Sequence, residues 1–462
     1  MAIVPQNARE MALEILYQVE SESAYANLEL NKRLSGGNWQ NNDLRLITEL
    51  VYGVLRMRGA IDFLLAQLLT KPLQTLPPKV LIILRLGMYQ LLYLDKIPES
   101  AVVNEAVKMT KRYGYAGIAS VVNAVLRNYL RKKEEVTLPD ISQKKEYLTH
   151  TLSHPAWLID YLLDDLSWGF EDAVSFCCFN NQQRGVSIRT NTLKTSVEEL
   201  LALLQEEGLE PQKGNLAPEA ITLARAVGLA KTKSLREGLF QVQDEASMLV
   251  AHALDPKPGS RILDLCAAPG GKSTHLAQLM QNDGEIHAYD MYPHKVTLIQ
   301  ENVRRLGLDM IKAKIGDARR LSSSYNQWAD AVLLDAPCTG LGVLGRRPDS
   351  RWQKKREDIS TLAVLSYELL CAAADYLKPG GVLVYSTCTI TKEENQLQVE
   401  RFLKEHDEFT LSPMNHLADV LKENNDRIGL SDQAMMQNGM WQLLPQTNQT
   451  EGFFIARLQK LK

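Results

Sequence analysis

Cysteine is scarce, with six in 462 residues and no C-x-x-C pair among them. That excludes both a disulfide framework and a zinc module, and leaves reduced thiols of a cytoplasmic protein. His150 and His154 stand four apart without an acidic or cysteine companion, and Pro155 follows where a helix would open, so no metal site is expected. Long apolar runs are missing too. The most apolar stretch, VLIILRLGMYQLLYL, is broken by Arg85 and reads as a buried helix, not a membrane span. The opening MAIVPQNARE lacks the basic-then-apolar pattern of a secretory signal. Nor is there a large excess of one charge: the formal net charge of -3 excludes a chain that is basic throughout. Internal repeats and low-complexity tracts are absent from the sequence.

What is present suits a soluble globular protein, with 45% hydrophobic and 23% charged residues. A length of 462 residues exceeds what one hydrophobic core supports. The near-neutral average hides an asymmetry. Residues 1–133 hold 17 Lys/Arg against 11 Asp/Glu, so the basic surplus sits in the N-terminal third, where a polyanion would bind. That third carries apolar residues at helical spacing in NAREMALEILYQV, DLRLITELVYGVLRM, AIDFLLAQLL, PPKVLIILRLGMYQLLYL and AVVNEAVKMTKRY, which predicts an all-α bundle over 1–135. The charged, proline-containing RKKEEVTLPDISQKKEY is the linker candidate. A small α+β connector over 150–240 combines the strand-like GVSIRTNTL with the helical TSVEELLALLQEEG. Over 241–462 strands and helices alternate, with strands RILDL, EIHAYD, MIKAKIGDA, AVLLDAP, GVLVYST and FFIARL. This predicts a Rossmann-like α/β domain whose ligands lie beyond the carboxyl ends of parallel strands.

The turn after the first of these strands reads LDLCAAPGGKST. Gly271, Lys272 and Ser273 match the end of a Walker A loop, but Cys266 stands where its first glycine belongs, and Pro269 removes a backbone donor that a phosphate cradle would use. The next strand ends at Asp290, suited to ribose hydroxyls, and the third runs into Asp317, suited to an adenine amino edge. A glycine turn followed by two acids at successive strand ends describes a nucleoside cofactor without a triphosphate, and S-adenosylmethionine fits best. The fourth strand leads into Asp335, Pro337 and Cys338, and the fifth into Cys388. Two thiols over one cofactor cleft suit a reaction in which a thiolate adds to C6 of cytosine and so makes C5 nucleophilic. A helix expected to begin after Cys388 would favour its thiolate. Cys177, Cys178 and Cys371 read as core. Spacing alone does not say which of Cys338 and Cys388 attacks.

LDLCAAPGGKST, DAPCTGLGVLGRRPDSRW and YSTCTITKEEN closely resemble the diagnostic motifs of the RNA cytosine-C5 methyltransferases. IPESAVVNEAVKMTKRYGYAGIASVVNAVLRNYLR is similar to their antitermination-factor-like RNA-binding domain, and RTNTLK with LFQVQDEAS to their connecting region. The resemblance implies that Cys266, Ala267, Ala268, Pro269, Gly270, Gly271 and Lys272 wrap S-adenosylmethionine, with Asp290 on the ribose and Asp317 near the adenine, and with no metal. It implies that Asp335 lies between methionyl group and base, that Cys388 is the nucleophile, and that Cys338 assists breakdown of the adduct. The implied substrate is a cytosine of 16S ribosomal RNA, free or in an early small-subunit particle, met by a cytoplasmic monomer with no membrane partner. Arg346, Arg347 and Arg351 are candidate phosphate contacts near the target. Lys108, Lys111, Arg112, Arg127, Arg131, Lys132 and Lys133 are candidates for general RNA affinity. Asp244 either approaches the base or caps a helix. Two departures from the family pattern are Glu451 in EGFF, where aspartate is usual, and Gln446 in LLPQ, where histidine is common.

Overall fold

The computed structural model describes residues 4–22, 24–34, 39–224, 228–421 and 428–462. The chain divides into two units, Met1–Gln182 with Leu344–Lys354 and Gln183–Val343 with Lys355–Lys462. In the first unit the helical periodicity produces helices Ala8–Ser21, Ala26–Leu34, Asn41–Arg56, Arg58–Leu68, Pro78–Tyr93, Glu99–Arg112 and Ala119–Arg131. Local chemistry sets several of their ends. The Asn7 side chain accepts the N–H groups of Arg9 and Glu10, and Pro78 occupies a helix start where its missing N–H costs nothing. Leu13, Leu16, Ile47, Leu50, Ile83, Leu86, Val122 and Leu126 are among the residues that close the core. Arg85, which interrupts the most apolar stretch, is itself buried. Its guanidinium forks onto Asp62 and Glu20 with four hydrogen bonds of 2.7 Å, so both its charge and its donors are satisfied inside the bundle.

The segment expected as a linker is not a free connection. Val136 is buried in the bundle core, and helical turns continue through Tyr147–Thr151, Ala156–Asp160, Tyr161–Asp165 and Phe170–Asn181. Ser153 Oγ accepts the Gly59 N–H at 2.9 Å and donates to the Arg56 carbonyl at 2.8 Å. Residues up to 182 therefore group with the helices, and the boundary between the two units falls inside the stretch 150–240 expected as one connector.

The second unit begins with a four-stranded antiparallel sheet of order β2-β3-β1-β4, formed by β1 (Val186–Thr190), β2 (Pro211–Lys213), β3 (Ala220–Leu223) and β4 (Phe240–Val242). The helix Val197–Glu206 starts in a Ser196/Glu199 capping box, and its Leu200 and Leu204 pack with Ile188, Ile221 and Phe240. There follow β5 (Arg261–Asp264), β6 (Glu285–Asp290), β7 (Ile311–Ile315), β8 (Ala329–Asp335), β9 (Leu377–Thr387), β10 (Phe409–Leu411), β11 (Met440–Leu443) and β12 (Phe453–Lys460). Their order is β10-β12-β9-β8-β5-β6-β7, with β11 also on β12. Strands β5 to β9 are mutually parallel, and β12 is antiparallel to β9.

Successive residues serve opposite faces of this sheet. Ile262, Leu333 and Val384 enter one core with the helices Glu245–Leu254 and Gly271–Leu279. Leu263, Leu334 and Tyr385 enter the other with the helices Glu357–Tyr376 and Gln396–Glu405. Burial on both faces is why the strands read as near-continuous apolar runs. Among the described residues, Glu357–Tyr376 is the one helix long and apolar enough to cross a membrane, and it packs on β8 and β9 as a core helix. From β5 the chain winds one way through β6 and β7, then returns to β8 and β9 on the other side. The switch point therefore lies between β5 and β8, and the loops after those two strands face each other there.

Candidate active site

The loop after β5 is held by its own backbone. Ala267 N–H donates to the Tyr289 carbonyl at 2.8 Å, and Gly270 N–H to the Ala267 carbonyl at 2.6 Å. Gly270 has φ +96°, and a Cβ there would stand 3.2 Å from Ile299, so a side chain meets both a strained backbone and an occupied space. The helix Gly271–Leu279 follows directly. The two Walker-like groups at its start are committed to carboxylates. Lys272 Nζ lies 2.7 Å from Asp335 Oδ2 and 4.9 Å from the Phe453 ring centre, while Ser273 Oγ donates to Asp264 Oδ2 at 2.5 Å. Asp264 is buried, and burial, with the charge of Asp335 added, pushes its pKa up to about 7. Burial also pushes the half-buried Cys266 thiol up.

Sequence reasoning missed the clamp on this helix. Arg189 of β1 is fully buried and donates to the Gly271 carbonyl at 2.6 Å, Thr274 Oγ1 at 3.0 Å and Gln278 Oε1 at 3.2 Å, and also to Gln243. Burial lowers its pKa to about 9, and Glu219 opposes that shift. The Glu219 carboxylate lies 3.1 Å from His252 Nε2 and 2.7 Å from His275 Nε2. Burial pulls the His275 imidazole down, against the opposing charge of Glu219.

Asp290 and Asp317 stand at the carboxyl ends of the next two neighbouring strands, both half-buried. Asp290 Oδ1 accepts the Tyr292 N–H at 3.0 Å. Asp317 caps a short turn through the Arg319 N–H and grips the Arg319 guanidinium at 2.8–3.2 Å, which holds its carboxyl below the usual range. Each acid thus also has the turn-capping role. A glycine turn with carboxylates in a row suits the hydroxyls and amino group of a nucleoside and repels a triphosphate. On that chemistry the residues present fit S-adenosylmethionine.

The fourth and fifth parallel strands bring the thiols together. Asp335 at the end of β8 pairs in register with Ser386 of β9, whose hydroxyl donates to Asp335 Oδ1 at 2.9 Å. Three and two residues further on, Cys338 Sγ and Cys388 Sγ lie 3.3 Å apart, both half-buried. The hydrogen bond to Cys388, burial and the charges of Glu394 and Asp335 push the Cys338 thiol well up, so it stays protonated at neutral pH. The helix expected directly after Cys388 begins only at Gln396, eight residues on. A helix N-terminus acts over about one turn, so it does not reach this thiol. What replaces it is a buried polar turn over residues 389–395, whose Glu394 and Thr389 both hydrogen-bond to Thr339 of the loop after β8. Of the three remaining cysteines, Cys177 is buried and Cys371 half-buried, but Cys178 is exposed because it falls on the outer side of the helix Phe170–Asn181.

The arginines after DAPCTG have different fates. Arg351 is fully buried in the helical unit. Its guanidinium donates to the carbonyls of Arg56, Ser153 and Asn180 and to Asn181 Oδ1, at 2.9–3.3 Å. It is a core strut and not a phosphate contact, a correction that follows from where the chain folds back. Arg346 is half-buried and Arg347 exposed. Of the N-terminal cations, Lys108, Lys132 and Lys133 are exposed and paired with Glu105, Glu135 and Glu99, and Arg112 meets Glu10. Asp244 caps the helix Glu245–Leu254 through the Ala246 N–H at 2.9 Å. Glu451 is buried and lies 3.3 Å from Arg184 Nη1.

Residues 251–459 match the family model described as 16S rRNA methyltransferase RsmB/F, residues 6–131 the NusB family, and residues 154–230 the RsmF/B-like ferredoxin-like domain. The probable ribosomal RNA small subunit methyltransferase B of Bacillus subtilis (strain 168) is 39% identical, across 98% of this chain and 99% of its own length. The chain belongs to the RsmB/F family of 16S rRNA methyltransferases. Its family relatives include the ribosomal RNA small subunit methyltransferase B of Klebsiella pneumoniae subsp. pneumoniae, 32% identical over 98% of both chains. The crystal structure of PH0851 superposes with a TM-score of 0.80 at 30% identity, covering 99% of this chain and 100% of that one. NSun6 from Pyrococcus horikoshii, solved with SFG, an S-adenosylmethionine analogue, gives 0.58 at 27% identity over 68% of this chain and 100% of its own. The family is S-adenosylmethionine-dependent, and the three-part architecture of NusB-type helices, ferredoxin-like connector and mixed-sheet methyltransferase domain is that of this chain.

Proposed function

We propose that this RsmB/F-family methyltransferase modifies C5 of a cytosine in 16S ribosomal RNA through a covalent thiol adduct at C6. The observation that carries the reading is the pair of thiols, 3.3 Å apart at the ends of adjacent parallel strands and beside Asp335. Residues Cys266 to Lys272, with Asp290 and Asp317, would hold S-adenosylmethionine, which supplies an electrophilic methyl group when bound. Cys388 adds as thiolate to C6 of an unstacked cytosine, and the electron pair displaced from the ring makes C5 an enamine carbon, the nucleophile that methylation requires. Asp335, oriented by Lys272 and Ser386, accepts a hydrogen bond from the N4 amino group of the base and so fixes the ring for attack at C6. The C5 proton passes to a solvent base, its electron pair re-forms the C5=C6 bond, and Cys338, held protonated beside Cys388, gives its proton to the departing Cys388 sulfur as the C6–S bond breaks. Arg346 and Arg347 remain candidates for phosphates flanking the target, and the NusB-type helices for general affinity in a cytoplasmic setting.

The test is transfer of labelled methyl from S-adenosylmethionine to unmodified small-subunit RNA, with the product nucleoside identified. Wild type is expected to make 5-methylcytidine. Cys388→Ala is expected to lose at least about a thousandfold in rate, as for loss of a nucleophile, and Cys338→Ala to accumulate a protein–RNA adduct. Methylation of another atom or base, or full activity of Cys388→Ala, would overturn the reading.

A further inference from the structure

The sequence TKEEN after Cys388 looks like an exposed turn, yet Glu394 is completely buried. Its Oε1 accepts the backbone N–H of Thr339 at 2.8 Å, and Oε2 accepts the hydroxyls of Thr339 and Thr391, each at 2.6 Å. Thr339 Oγ1 lies 2.7 Å from Thr389 Oγ1. Since the Thr339 hydroxyl proton is donated to Glu394, the Thr389 hydroxyl is the donor in that second bond. Thr339 directly follows Cys338, and Thr389 directly follows Cys388. One carboxylate is thereby linked, by one and two hydrogen bonds, to the residue next to each thiol.

The turn that carries Glu394 is fixed from the other side. Tyr385 OH donates to the Glu394 carbonyl at 2.5 Å, and Asn395 binds the Thr387 hydroxyl at 2.6 Å and the Thr389 carbonyl at 3.1 Å. Burying a carboxylate is costly unless donors replace its water. An apolar side chain of the same volume would fill the space more cheaply but could not fix a backbone N–H and two hydroxyls at once.

We propose that Glu394 is a positioning residue that sets the separation of the two thiols by tying Thr339 to Thr389. The proposal rests on reading Cys338 and Cys388 as the reacting pair, but its test needs neither RNA nor methyl transfer. The full chain is treated with a thiol oxidant such as diamide, and the rate at which Cys338 and Cys388 become linked is followed by mass spectrometry. Alkylation of the same cysteines by iodoacetamide serves as the control for exposure. Glu394→Ala is expected to slow linking at least tenfold while alkylation changes less than threefold. Glu394→Gln is expected to stay within threefold of wild type, because the amide oxygen still serves the Thr339 N–H and both hydroxyls can rotate to accept. Thr389→Val, which cuts the second tie alone, is expected to fall between. If Glu394→Ala does not fold, Glu394→Asp, one methylene too short to reach all three donors, is read in its place.

Linking at the wild-type rate in Glu394→Ala or Glu394→Asp would overturn the proposal. So would a slowing matched by equal loss of alkylation, which would mean general disorder of the site. In methyl transfer the same variants are expected to lose kcat about tenfold with KM for S-adenosylmethionine within twofold. Should linking depend on Glu394 while Cys388→Ala remains a full methyltransferase, the positioning role stands and the covalent mechanism falls.

Discussion

Asp264 stands at the end of β5, just before the glycine turn, with its pKa raised to about 7 by burial first and then by the charge of Asp335. The folded protein therefore keeps a proton that the unfolded chain releases at an ordinary carboxyl pKa near ~4. This contribution to stability is complete below that lower value, is lost as pH rises towards about 7, and is flat above it. Asp264→Asn keeps the shape without the charge. Its Tm relative to wild type is expected to rise between pH 4 and pH 7 and then level off; a constant difference across that window would mean that Asp264 carries no such linkage. At this scale the sequence is informative wherever a residue acts through a local motif. The positions of Asp335, Cys338 and Cys388 at and after strand ends, and of Lys272 at a helix start, were legible in it for that reason. Arg189 and Glu394 were not, because the atoms they bind lie 82 and 55 residues away along the chain.

Elements place those residues, and one contact between loops can be tested directly. Gly342 N–H donates to the Cys388 carbonyl at 3.0 Å, and the Gly342 carbonyl accepts the Gly452 N–H at 2.9 Å. A Cβ on Gly342 would stand 2.1 Å from the Gly452 carbonyl oxygen, a backbone atom that cannot swing aside. Gly342→Ala is expected to destabilise the methyltransferase unit by about 1–3 kcal/mol, read from denaturant unfolding, and to lower methyl transfer by moving Cys388. Unchanged stability would show that the two loops part freely. The parallel strands β5 to β9 were legible because strands buried on both faces are short apolar runs between turns. Strands β2, β3, β4, β10 and β11 have three or four residues each, too few for a periodic signal, and they were missed. The antiparallel direction of β12 was not legible either, since strand direction leaves no mark on composition. The helix expected after Cys388 was misplaced because Thr389 and Glu394 hydrogen-bond across to Thr339 and Asn395 to Gln442 instead of opening a helical turn.

At the scale of the whole chain, Leu344–Lys354 returns to the helical unit in the middle of the methyltransferase sequence. Within that excursion two arginines four apart differ in burial, Arg347 exposed and Arg351 buried. Arg351→Ala removes a buried strut and takes its hydrogen bonds from the carbonyls of Ser153 and Asn180 and one of two from that of Arg56, so it is expected to cost at least ~2 kcal/mol of stability. Arg347 is exposed, and Arg347→Ala is expected to leave Tm unchanged while reducing by ~1 the slope of log affinity for RNA against log salt. An unchanged slope would remove Arg347 from the phosphate contacts. A loss of RNA affinity in Arg351→Ala without loss of stability would reverse the roles assigned to the two.

The sequence alone determined what depends on neighbours along the chain: an all-helical N-terminal third, a mostly parallel sheet after it, a glycine turn unsuited to triphosphate, and two cysteines at strand ends. Turn geometry and burial periodicity act within a few residues, so they leave local marks. Tertiary structure decided what depends on residues brought together from far apart. It buried Arg351, committed Lys272 to Asp335, placed Arg189 on the helix Gly271–Leu279, set the two thiols 3.3 Å apart, and tied the residue after Cys338 to a buried glutamate. A hydrogen bond or ion pair depends on distance in space and not on sequence separation, so these roles could be read only after the chain had folded.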